Sequence, residues 1–225
     1  VLPLSLALAV PKSPQNAAQR ITDQSVGAAF REAVGHPSFI LLLLGYFSCG
    51  FQVFFVTVHL PSYLVDRGLS ADLGAITIGL IGLFNIGGSI GAGLLSNRMP
   101  KRYILALIYF LRAVAVAIYI SVPPTTTTTI LFGILMGLLW LSTIPPTTAL
   151  VAVMFGTRWL TMLAGFAFFS HQVGGFVGVW LGGVLFERTG SYDVIWWLFI
   201  LLGLFSALVN LPIKEVPVVR PAVAT

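Results

Sequence analysis

At 225 residues, 57% hydrophobic, with a mean hydropathy of +0.98 and 8% charged side chains, the chain cannot present an ordinary water-facing surface, which takes roughly 25% charged residues. Its net charge of +5 would point to nucleic acid in a soluble protein, but basic residues collect in the loops of membrane proteins, and nucleic acid is excluded as the partner. The single cysteine, Cys49, rules out a disulfide framework, and CxxC, HExxH, Walker A and GxGxxG patterns are absent, so neither cofactor nor metal is expected.

In chain order, VLPLSLALAV is apolar and is followed at once by PKSPQNAAQR. We read residues 1–10 as the tail of a preceding transmembrane helix and 11–37 as a cytoplasmic connection. A clipped signal peptide is the competing reading, but no basic segment precedes the run. Inside the connection, SVGAAFREAVGHPSF has the pattern of a short amphipathic helix on the membrane surface, with Pro11, Pro14 and Pro37 as its limits.

Six apolar runs follow, at about 39–64, 73–96, 102–122, 130–154, 159–186 and 193–213. Each can cross a hydrocarbon core of ~30 Å. None alternates with period two, and a segment in lipid must satisfy its own backbone, so the runs are helices. The prediction is an all-α integral membrane protein with a six-helix bundle over 38–213 and a cytoplasmic tail over 214–225. Pro145–Pro146 removes two backbone donors and should kink the fourth helix.

The basic residues divide unevenly among the connections. Lys12, Arg20, Arg31, Arg98, Lys101, Arg102, Arg158, Lys214 and Arg220 fall on one side, Arg67 and Arg188 on the other. The positive-inside rule puts the nine, with both ends of the segment, in the cytoplasm.

Three of those nine sit in GLLSNRMPKR, residues 93–102. This stretch resembles the loop signature of the major facilitator superfamily, Gly-x-x-x-Asp-Arg/Lys-x-Gly-x-Arg/Lys-Arg/Lys, found after the second and eighth helices of twelve-helix transporters. Gly93, Arg98, Lys101 and Arg102 match. Asn97 replaces the Asp, Pro100 replaces the Gly, and the last basic pair is one position closer. HLPSYLVDRGLS and ERTGSYDVIWW resemble bacterial relatives of monocarboxylate transporters and oxalate/formate antiporters, although the second span lacks the Arg those carriers typically hold in their eighth helix.

The resemblance implies the C-terminal half of a twelve-helix major facilitator fold in a bacterial inner membrane. Its partners would be the bilayer, the missing N-terminal six-helix half and a small organic anion, a monocarboxylate in that branch. The loop would latch one conformation of the transport cycle; topology anchoring alone is the simpler reading.

A site at the midplane should appear as polar side chains about ten to thirteen residues into each span. Gln52, Asn85, Arg112, Trp140 and the pair His171–Gln172 satisfy that spacing, with Thr143 on the Trp140 side of the fourth span. We take these seven as candidate substrate-binding residues. Ser48, Gln52, Phe55 and His59 share one face of the first span, with His59 near the outer end as a gate.

Arg112 is the one formal charge at depth, which makes it a functional candidate. It can meet a substrate anion, or pair with carbonyls or with an acid of the missing half. His171 can carry a coupled proton or serve as a neutral hydrogen-bonded imidazole. Glycine strips at 174, 178, 182 and at 87, 91 allow close helix contact. The expected function is half of a secondary transporter working by alternating access. A multidrug or other exporter and a non-transporting six-helix scaffold are the alternatives; no nucleophile–base or metal-ligand set supports an enzyme.

Overall fold

The computed structural model describes residues 24–219. The expected helix tail at 1–10, the first part of the connection, and Lys12, Arg20 and Arg220 lie outside the described residues. A short helix α1 (Val26–Val34) precedes α2 (Pro37–Asp66), α3 (Ala71–Ser96), α4 (Lys101–Ser121), α5 (Thr126–Leu139), α6 (Ile144–Phe155), α7 (Leu160–Thr189) and α8 (Asp193–Asn210). With α5 and α6 counted as one path, six stretches among the described residues are long and apolar enough to cross a membrane.

Local chemistry sets the ends. Pro37 opens α2, where a missing N–H is harmless. Ser70 caps α3 by accepting from Leu73 N at 3.3 Å, Thr125 and Thr128 form a reciprocal capping box on α5, and Gly190 closes α7 at φ +66°. The amphipathic segment does form a helix, α1, capped by Ser25. It buries Ala29 and Ala33, and Phe30 meets Phe166 of α7 at 4.4 Å between ring centroids.

Each of the first three spans packs chiefly on one of the last three: α2 on α7, α3 on α5, and α4 on α8, with α2 also against α8. The α2–α7 seam is the tightest. A Cβ on Gly50 would run into the His171 carbonyl oxygen, and one on Gly174 into that of Phe47. The strip 174, 178, 182 is therefore spent inside this half, whereas Gly87 and Gly91 face open space. Near the far ends of the same helices, Phe55, Tyr63, Tyr119, Phe132 and Trp196 form one aromatic cluster, with Tyr119 stacked on Phe132 at 4.2 Å.

The two least buried spans are α3 and α7, which expose Leu83, Ile86, Ile90 and Leu94, and Phe169, Phe176 and Trp180. At the end of the bundle that holds residues 97–100, the chain after α8 runs back as a strap. Ile213 is fully buried, Lys214 N donates to Ser38 Oγ at 3.1 Å, and Val218 N donates to Met154 O at 2.9 Å.

Candidate functional site: a pinned break in the fourth span

The fourth span departs from the expected kink. It is interrupted: α5 ends at Leu139, α6 starts at Ile144, and Trp140–Thr143 fall between them. Pro145 and Pro146 occupy the first turn of α6, where absent N–H groups break no helical bond. The double proline thus begins a new helix instead of bending an old one. An interruption at mid-depth frees backbone groups that hydrocarbon cannot satisfy, so protein must.

Two other spans supply the partners. Arg112, from α4, is fully buried. Its Nε and Nη2 donate to Leu139 O at 3.0 and 2.6 Å, and Nη2 also donates to Trp140 O. Nη1 donates to Gln52 Oε1 at 3.3 Å and to Cys49 Sγ at 3.2 Å. The guanidinium lies 5.5 Å from the Tyr109 ring centroid. A cation is thereby placed at the C-terminal, negative end of α5. From α3, Asn85 Oδ1 accepts the Leu141 N–H at 2.9 Å and the Ser89 hydroxyl at 3.2 Å. Ser142 Oγ donates back to Leu138 O at 2.7 Å, and Thr143 Oγ1 lies 3.4 Å from Cys49 Sγ.

Gln52, Asn85, Arg112, Trp140 and Thr143 therefore come together as one network. Gln52 extends it to α8 by donating to Phe199 O at 3.1 Å. The donors of Arg112 are directed at protein acceptors, so in this conformation its role is to hold the break. Of the face Ser48, Gln52, Phe55 and His59, the first three are buried within the bundle, so this face joins helices. His59 Nε2 sits 3.0 Å from Val179 O across the α2–α7 seam.

His171 and Gln172 behave differently. His171 is buried against Tyr46 and stacked on Phe168, with centroids 5.0 and 5.6 Å away. Its Nδ1 shares a hydrogen bond of 3.2 Å with Gln172 Oε1, and its ring also neighbours Cys49, the thiol that Arg112 reaches. Gln172 is exposed on α7. Cys49 is the residue sequence reasoning passed over. It lies one turn before Gln52 on α2, and that spacing to a residue already singled out was the available signal.

The loop residues divide too. Asn97 ends α3 through its backbone N–H to Leu94 and Leu95, and Gly93 packs loosely 3.8 Å from Pro145 when given a Cβ. Lys101 Nζ is 3.9 Å from Glu215 Oε2. Arg102 N donates to Glu215 Oε1 at 2.8 Å, and its Nη1 to Ile213 O at 3.2 Å. The basic pair therefore ties the loop to the strap after α8. At the opposite end Arg67 meets Asp193 at 3.4 Å, beside a cleft of about 250 Å³ lined by Tyr63, Asp66 and Tyr192. Burial, with the Asp66 carboxylate nearby, raises the Tyr192 phenol above its ordinary value.

A sequence profile described as Major Facilitator Superfamily matches residues 1–179. The chain belongs to the major facilitator superfamily. The "Uncharacterized MFS-type transporter YcxA" of Bacillus subtilis (strain 168) is 30% identical over 160 residues, covering 69% of this chain and 39% of that protein. The "MFS transporter asaE" of Aspergillus flavus is 24% identical over 166 residues, covering 73% of the chain and 37% of that protein. The chain thus spans about two fifths of the length of these major facilitator relatives.

Proposed function

We propose that the chain is the C-terminal six-helix half of a secondary transporter that moves a small organic anion, a monocarboxylate in the simplest case, by alternating access. The observation that carries this reading is the broken fourth span. Non-helical backbone at membrane depth is tolerated where protein or a cavity meets its polar groups, and carriers place their solute sites at such discontinuities. Here the break is met by Asn85 and Arg112 from two neighbouring spans. Both relatives also carry transporter names.

Charge supports the anion. Among the described residues the only ionised group within the middle of a span is Arg112, and carboxylates occur at helix ends or beyond. A carrier of lipophilic cations calls for an acid at depth. Asn85 and Gln172 are polar side chains on the two least buried spans. His171, buried beside Gln172, is our candidate for a coupled proton. The nine-to-two imbalance of basic residues supports an orientation with the 97–100 loop in the cytoplasm.

The test is solute flux through the full-length transporter in proteoliposomes, with labelled monocarboxylates in one arm and lipophilic cations in another. Saturable monocarboxylate exchange is expected. Cation flux instead would favour the exporter, and a folded, insert-competent protein with no flux in either arm would return the chain to a scaffold role.

A further inference from the structure

One surface feature is unused by that reading. An apolar groove of about 240 Å³ runs between α3, α4 and the end of α5. Gly91 and Ala92 form its floor, Leu107 and Leu138 its walls, and Met99 and Tyr103 its mouth. The groove exists because Gly91 has no side chain and nothing stands within 4 Å of where a Cβ would be. Leu107, Met99 and Tyr103 are each about half exposed, at 54%, 46% and 45%, so the groove opens outward.

Its dimensions and charge are directional. From Gly88 to Ser96, where α3 ends, the helix advances roughly 12 Å at 1.5 Å per residue, most of one leaflet of a ~30 Å hydrocarbon core. The mouth lies in the basic loop. The Arg98 side chain is exposed and makes no hydrogen bond or ion pair among the described residues. The Arg102 guanidinium sits 4.6 Å over the Tyr103 ring that lines the mouth, with Nη2 donating to the Tyr103 hydroxyl at 3.0 Å and Nη1 to Ile213 O at 3.2 Å, so it contributes charge at the mouth. Lys101 adds a third cation against the single carboxylate of Glu215. An apolar slot most of a leaflet deep, ending in net positive charge, matches one chemistry: an acyl chain below an anionic headgroup.

The geometry points to a binding site for an anionic phospholipid, with one acyl chain in the α3–α4–α5 groove and its phosphate at Arg98, in the field of Lys101 and Arg102. The inner end of the groove reaches Leu139 and Ser142 at the break, but an acyl chain there does not depend on which solute the transporter carries.

Native mass spectrometry of the full-length transporter, delipidated and titrated with phosphatidylglycerol or phosphatidylcholine, tests it. Phosphatidylglycerol should bind about tenfold more tightly, as net charge at the mouth requires. Gly91→Leu fills the slot and should weaken phosphatidylglycerol binding about tenfold. Arg98→Gln, an exposed change that leaves the fold alone, should reduce the preference for phosphatidylglycerol about fivefold. Inorganic phosphate should not compete. Equal binding of the two lipids, unchanged binding in both variants, or displacement by inorganic phosphate would each overturn the assignment.

Discussion

The α2–α7 seam and the break in the fourth span are both places where helices of this bundle meet closely, and they are held by opposite means. The seam works by omission. Glycines at 50, 174 and 178 bring two backbones together, and its polar contacts are few: His59 to Val179 O and Ser170 Oγ to Leu43 O. The break works by supply. Backbone groups left open at Leu139, Trp140 and Leu141 are each met by a side chain from elsewhere. A seam of glycines tolerates no added atom but asks little of polarity, whereas the break tolerates shape changes and depends on donors and acceptors.

That contrast orders the effects of mutation. Gly174→Leu should have the largest effect, because the new side chain meets the Phe47 carbonyl with nowhere to move; the folded fraction in detergent should fall to background. Arg112→Ala should insert and fold but lose about 3 kcal/mol, since it orphans buried carbonyls at the end of α5, and denaturant titration reads this. Arg112→Lys retains the charge without the fork and should fall between wild type and Arg112→Ala. If Arg112→Ala is the more damaging of the pair, polarity rather than close contact dominates the bundle.

Asn85→Ala leaves one N–H unmet, that of Leu141, and should cost about 1–2 kcal/mol. The smallest change is expected at Arg67→Gln, because its pair with Asp193 is exposed on both sides and such pairs contribute about 0–1 kcal/mol. In transport assays, His171→Ala should alter the pH dependence of uptake while Gln172→Ala changes apparent affinity. An unaltered pH profile would confine His171 to packing against Tyr46 and Phe168.

The spans themselves were readable from hydropathy to within about one helical turn, because lipid leaves so few choices to a long apolar run. The polar residues at mid-depth were also readable: Gln52, Asn85, Arg112 and Thr143 do share a network. What their spacing could not give was the partner. Arg112 is occupied by the main-chain oxygens of Leu139 and Trp140, and no side chain at those positions announces a carbonyl that has lost its helix. Pro145–Pro146 marked the place but not the outcome, since a proline pair bends a helix or begins one according to whether the preceding turn continues. Likewise Gly174, Gly178 and Gly182 signalled close approach without saying to which helix. The link from Lys101 and Arg102 to Glu215 spans more than a hundred residues and has no periodic signature.

The strap after α8 bears on how the protein is made. Ser38 and Met154 receive their hydrogen bonds from Lys214 and Val218, residues that leave the ribosome long after the helices they close. During synthesis the first and fourth spans must therefore wait in the bilayer with that end unsealed. The bundle is completed from its last-made end, and a nascent chain stalled within α8 would expose to quality-control proteases a six-span bundle whose closing stitch is still inside the exit tunnel.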